Sequence, residues 1–258
     1  MSARLEDAGD RLIIWNGNTA KRGALSEELY ACIMAAMKQA SDPRFRAVIL
    51  TSEGPFFCAG GDLNVLISRR TLSERERRAK IEGLHDLLRA IRACPVPVIA
   101  AVEGGAAGAG LSLALACDMI VAAEGAKFTA AYVKAGLVPD GGLTAHMARL
   151  LPRPLAMEMC LLARPVEAAQ MHGLGVVNHL SSPGQAMADA TAIADRLAAG
   201  PRAAQNAIRK LVSDAYETSE AQQLDLERDA MALASGADEA AEGIAAFLEK
   251  RAPNYRQG

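Results

Sequence analysis

Apolar and polar positions along this chain follow two rhythms. Short, almost unbroken apolar runs stand at residues 11–16, 47–51, 97–102 and 119–123, the length and composition of buried strands. Between them lie segments whose apolar positions recur three and four apart, as on one face of a helix. Ser26, with Glu27 and Glu28 behind it, predicts a capped helix running through Lys38. A helical pattern resumes over 63–69. Over 72–94 it places Ile81, Leu84, Leu88 and Ile91 on one face until Pro95 and Pro97 stop it. Strands alternating with helices predict an α/β fold rather than a sandwich. From about Gly142 the pattern becomes nearly continuous helix, punctuated by Gly173, Gly175, Pro183 and Gly200-Pro201. Apolar positions there, among them Leu211, Leu224, Met231, Ile244 and Phe247, predict packing on the core or on a neighbouring subunit. The expected division is an α/β core over 1–195 and a helical C-terminal region over 196–258.

One segment carries more than packing information. The apolar run ending at Val102 meets a loop of small residues, Gly104, Gly105, Ala106, Ala107, Gly108, Ala109 and Gly110, and then turns helical. Such a loop lets backbone N–H groups approach a ligand, and the helix that follows points its positive end at the same place. It lacks the Lys and Ser/Thr of a phosphate-binding P-loop, and no short βαβ unit with a ribose-binding acid accompanies it. Two readings stand on local sequence: a backbone site for a developing oxyanion, and close helix packing.

Composition narrows the class. With 258 residues, 51% hydrophobic and 22% charged, the chain can bury a large core. Lys and Arg number 28 against 30 Asp and Glu, a balance that points away from nucleic acid and from an anionic membrane surface. The arginines between Arg69 and Arg78 are interrupted by Glu74 and Glu76 and read as a solvated helix face. Five widely spaced cysteines without a Cys-x-x-Cys pair read as buried thiols of a reducing compartment, with no metal site. An acidic N-terminus without an apolar core, and no apolar stretch near the roughly 20 residues of a span, lead to a cytoplasmic expectation.

Six segments in order carry a family resemblance. They are Lys21 to Ser26; Phe57 to Leu63, containing Ala59, Gly60, Gly61 and Asp62; Pro95 to Gly104; Ala126 to Phe128; Gly136 to Gly142; and Glu242 to Arg251. Together they resemble the crotonase family, the enoyl-CoA hydratase/isomerase superfamily, over nearly the whole chain. One departure is Gly23, where the family usually has Asn. The resemblance implies a crotonase-type (ClpP-like) α/β fold, a spiral of ββα units with a helical C-terminal trimerisation region. It also implies an acyl-CoA thioester substrate, no separate cofactor beyond the CoA of that substrate, and a homotrimer or dimer of trimers. The shared chemistry is stabilisation of a thioester enolate by two backbone N–H groups, which the match carries to Gly61 and Ala109. Arg22, Ala24, Ala59, Asp62 and Leu63 fall in the matching substrate segments, as do Ser112, Tyr132 and Leu137. Phe247 and Lys250 fall where the family's last helix reaches a neighbour's CoA site.

The resemblance also separates reactions. A family hydratase holds water between two glutamates, and the match places Ser112 and Tyr132 at those positions. Hydration needs a base for the water and an acid for the α-carbon, roles that a Ser or Tyr hydroxyl fills poorly at neutral pH. Asp140 remains, in a Pro-Asp-Gly sequence that alone reads as a turn. Isomerases of the superfamily, including Δ3,Δ2-enoyl-CoA and 1,2-epoxyphenylacetyl-CoA isomerases, carry a single acid there. One carboxylate suffices for a 1,3 proton shift. The expectation is an acyl-CoA isomerase with Asp140 as acid/base, surrounded by Leu137, Val138 and Pro139. The alternatives are an enoyl-CoA hydratase of fatty-acid β-oxidation and a non-catalytic acyl-CoA-binding protein.

Overall fold

The computed structural model describes residues 2–255. The N-terminal part runs β1 (Ala3–Asp7), β2 (Arg11–Asn16), α1 (Glu27–Gln39), β3 (Ala47–Ser52), α2 (Leu63–Ser68), α3 (Glu74–Arg92) and β4 (Val98–Val102). The Gly-rich segment gives β5 (Gly105–Ala107) and α4 (Ala109–Ala116), followed by β6 (Met119–Ala123) and β7 (Lys127–Thr129). A 3-10 turn at Ala131–Ala135 leads to α5 (Leu143–Leu150), α6 (Arg153–Leu162), β8 (Val166–Glu167), α7 (Ala168–Gly173) and β9 (His179–Ser181). Four helices close the chain: α8 (Ala186–Ala198), α9 (Arg202–Asp214), α10 (Glu220–Ser235) and α11 (Asp238–Leu248).

Two sheets result. The larger has the order β1-β2-β3-β4-β6-β9, parallel throughout except for β1, and the smaller has the order β5-β7-β8. Period-two alternation sends Leu12, Ile14, Val48, Leu50, Val98 and Ala100 into a core with α1, α3 and α4. Ile13, Ala47, Ile49, Ile99, Ala101 and Val121 point to the other face, where Ala186, Ala190 and Ala194 of α8 cover them. Alanines four apart give that helix a smooth stripe, so it lies close against a fully apolar sheet.

Ser26 caps α1 by accepting from the Leu29 N–H, and Ser73 closes a capping box with Glu76 at the start of α3. The long amphipathic helix differs from expectation in its buried face, which is Leu84, Leu87, Leu88 and Ile91, while Ile81 is 37% exposed. The region after Gly142 also differs, since the short strands β8 and β9 interrupt it. Val166 and Glu167 pair with β7, and residues 179–181 extend the large sheet beside β6.

Arg209 joins the helical C-terminal region to this core. Its guanidinium donates to the carbonyls of Ile91, Arg92 and Cys94, just where α3 ends, and to Asp118 Oδ2 at 2.6 Å. Asp118 in turn accepts from the Val98 N–H at the head of β4. One side chain therefore satisfies carbonyls that a helix terminus leaves open and pairs with an acid whose side chain is 22% exposed. Among the described residues no helix is long and apolar enough to cross a membrane.

Candidate active site

The Gly-rich segment folds as strand, turn and helix, and β5 anchors it in the small sheet by pairing with β7. A second turn, residues 58–62, lies against it. Cys58 forms a parallel bridge with Ala106, and its carbonyl accepts from the Ala107 N–H at 2.9 Å. The approach is close enough to dictate residue type. A Cβ on Gly110 would sit 2.2 Å from the Cys58 carbonyl oxygen. On Gly60, at φ +90°, it would sit 2.7 Å from that of Ala107 and 3.0 Å from the Ala109 nitrogen. The turns holding Gly61 and Ala109 are thus brought into contact. Among the described residues, neither the Gly61 nor the Ala109 N–H donates to a protein acceptor. Ala109 is moreover the first residue of α4, where helix amides are open and anions are favoured.

Asp140 is tied to α4 one turn beyond Ala109. Ser112, one turn into that helix and fully buried, donates from Oγ to the Asp140 carbonyl at 3.0 Å. The Tyr132 hydroxyl, from the 3-10 turn, donates to Asp140 Oδ1 at 2.8 Å and lies 3.2 Å from Ser112 Oγ. Burial and the neighbouring Asp140 charge push the Tyr132 phenol far above its ordinary range, so it stays a neutral donor. Gly141, at φ +61°, packs against Leu88 and Ser112, which fixes the turn that presents the carboxylate. The expected apolar wrapping of Asp140 is not found. Leu137 and Val138 are exposed, Val138 to 81%, Pro139 is half-buried, and the carboxyl group is held by a hydroxyl instead.

The other expected substrate residues divide into two groups. Ala59 is tied to the first loop by its N–H, which donates to the Arg22 carbonyl at 3.0 Å, and Gly60 accepts from the Leu25 N–H at 2.8 Å. Arg22 stacks over Phe56 at 4.2 Å and borders a cavity of about 180 Å³ with Thr19, Gly54 and Pro55. Asp62 caps α2 and pairs with Lys21 at 2.5 Å, which holds its carboxyl below the usual range. Leu63, the next residue, is exposed, and Ala24 is buried beneath the loop. Phe247 and Lys250 do not join this group within one subunit. Helix α11 packs chiefly on α10, and Phe247 is 82% exposed.

Several residues that organise the site carry no motif. Asn16, at the end of β2 and almost fully buried, donates to the carbonyls of Gly23 and Phe57 and so joins both loops. That junction explains the Gly at position 23: its φ is +70° and a Cβ would meet the Phe57 carbonyl at 2.6 Å. Glu103 turns its carboxylate away from the Gly-rich loop and accepts from the N–H groups of Gly184 and Ala186 at the start of α8. Tyr30 of α1 lies within reach of the Asp140 and Arg69 charges, and burial raises its phenol to about 12. A cavity of about 220 Å³ opens at the far end of α4, beside His146 and Arg209. Gly61, Ala109 and Asp140 do not line it.

Two open amides on touching turns, with Asp140 tied to α4 one turn further on, make up the candidate site. The chain belongs to the enoyl-CoA hydratase/isomerase family, whose profile matches residues 17–258. It is 36% identical over 234 residues to 1,2-epoxyphenylacetyl-CoA isomerase of Escherichia coli, covering 90% of this chain and 89% of that one. It is 34% identical over 257 residues to enoyl-CoA hydratase EchA19 of Mycobacterium tuberculosis, covering 98% and 96%. The crystal structure of an enoyl-CoA hydratase from Polaromonas sp. JS666 superposes with a TM-score of 0.95 at 43% identity, covering 98% of this chain and 99% of that one. The fold is the crotonase fold, and the protein is an enzyme of this family.

Proposed function

We propose that the protein is a CoA-thioester isomerase that moves a double bond, or rearranges a ring-derived acyl group, through a thioester enolate. Asp140 takes a proton from one carbon and returns it two carbons away. The N–H groups of Gly61 and Ala109 hold the enolate oxygen, each such donor contributing about 3 kcal/mol to the transition state. Loop 21–26, with Arg22 beside its cavity, would receive the CoA part. The proposed assembly is a homotrimer or dimer of trimers in the cytoplasm, in which Phe247 and Lys250 reach a neighbour's CoA.

The observation that carries this reading is the makeup of the hydrogen-bonded cluster on α4: one carboxylate, Asp140, and two hydroxyls, Ser112 and Tyr132. A pair of acids to hold and split water is missing from those positions, whereas a 1,3 proton shift needs a single group that can both accept and donate. The hydratase names among the relatives make hydration the competing reaction. A panel of 3-enoyl-, 2-enoyl- and ring-derived CoA thioesters, followed by mass spectrometry and NMR, separates the two. The expected product is an isomer of unchanged mass, and Asp140→Asn should abolish its formation with CoA-thioester affinity kept within a few-fold. A product heavier by one water, or an Asp140→Asn variant within tenfold of wild type, overturns the reading.

A further inference from the structure

The cluster around Asp140 has a direction that the positions of its atoms fix. A carbonyl oxygen only accepts, so the 3.0 Å contact between Ser112 Oγ and the Asp140 carbonyl uses the serine hydrogen. Ser112 Oγ is then left as an acceptor toward Tyr132. The tyrosine has one hydrogen and two partners, Ser112 Oγ at 3.2 Å and Asp140 Oδ1 at 2.8 Å. The shorter contact is to the ionised group, and charge-assisted bonds are the stronger. The tyrosine hydrogen therefore goes to Oδ1, and nothing in the serine competes for it.

We propose that Tyr132 is the positioning residue of the proton shuttle: its hydroxyl holds Oδ1 of Asp140 and so leaves Oδ2 as the oxygen that exchanges a proton with the acyl chain. This rests on the isomerase reading above. In the forward step a C–H bond breaks and an O–H bond forms on Oδ2, while the electron pair moves onto the thioester oxygen. In the second step the O–H bond breaks and a C–H bond forms two carbons away, as the pair returns from oxygen. The same oxygen must face both carbons in turn. A carboxyl group free to rotate about its Cβ–Cγ bond would return the proton to its origin or lose it to water. With Oδ1 held, rotation stops, and Ser112, whose own hydrogen is committed to the Asp140 carbonyl, fixes the backbone that carries the carboxylate. Tyr132 suits the task because its buried phenol keeps its proton in the presence of the carboxylate. Its ring also packs against the hydrophobic core, so the hydroxyl is held from behind.

The measurement is isomerisation in D2O, with deuterium in recovered substrate and in product read by mass spectrometry. Tyr132→Phe should lower kcat by about 10- to 100-fold with KM within about threefold. The ratio of solvent exchange to isomerisation should rise at least severalfold, because the mobile carboxyl still removes protons but misdelivers them. Ser112→Ala keeps the tyrosine and loses the bond that ties the Asp140 carbonyl to α4, so a smaller change in the same direction is expected. A thermal melt of each variant verifies folding, and Ser112→Ala carries the test if Tyr132→Phe fails to fold. Wild-type kcat and exchange ratio in Tyr132→Phe, with Asp140→Asn inactive, would overturn the role of the tyrosine and leave the base assignment standing. Activity in Asp140→Asn would remove both.

Discussion

At Gly60 and Gly110 a single methyl group would collide with a carbonyl oxygen, and at both places the colliding carbonyl belongs to the partner turn. The small-residue pattern at 59–61 and 104–110 is plain in the sequence. Which of those glycines is compelled by contact, and which by φ alone, follows only from the pairing of the two turns. The burial of Asp140 is the converse case. Leu, Val and Pro around an acid look like a pocket, yet Leu137 and Val138 face outward and a more distant hydroxyl reaches the carboxylate. His146 shows a further residue-scale effect that its isolated position in the sequence hides. Burial, then the charges of Arg92 and Arg149, push its imidazole down to about 4. Between pH 4 and about 6.5 the unfolded chain binds a proton that the folded chain refuses, so stability falls as pH falls through that window. Because the imidazole is only partly buried, the loss is expected to be about 1 to 2 kcal/mol. Urea titrations at several pH values should show that slope in wild type and a flatter one in His146→Leu. Equal slopes would show that the ring titrates as it does in the unfolded chain.

Elements with several apolar positions were legible, and those held by a few backbone bonds were not. Strand β2 and the first helix follow from a run and a cap, and α3 from its periodicity. Strands β7, β8 and β9 are three residues or fewer, too short for a period to register, and they exist because a neighbouring strand edge offers partners. The small sheet is therefore invisible locally, although it anchors the Gly-rich loop. The position of α9 was equally hidden, since Arg209 resembles any surface arginine until the end of α3 is placed beside it. Arg209→Ala should destabilise the subunit by about 2 to 4 kcal/mol, because it leaves three carbonyls and the Asp118 carboxylate short of a donor. Chemical denaturation would register the loss. A change below about 0.5 kcal/mol, the size of an ordinary surface substitution, would mean that solvent replaces the guanidinium at no cost.

For the whole molecule, the sequence disclosed the class of fold, the order of its parts and, through the resemblance, the names Ser112, Tyr132 and Asp140, while the hydrogen bonds that join them across three separate segments appear only in the structure. The same holds for the last helices. Their apolar stripes predict burial, yet within one subunit Leu224, Met231, Leu233, Ile244, Phe247 and Leu248 are exposed, Leu233 to 80%. Large apolar side chains left exposed on two helices that pack together suit an association face. If three copies cover it, part of the fold's stability is set by mass action: dilution shifts the balance toward the unfolded chain, and crowding the chains together shifts it back. For a trimer, a hundredfold rise in protein concentration should raise the melting temperature by roughly 4 to 7 °C, alongside a trimer or hexamer mass by sedimentation. A melting temperature independent of concentration in a sedimenting monomer would mean that each chain keeps its stability to itself. Otherwise, how well this enzyme survives heat is a property of how much of it the cell makes.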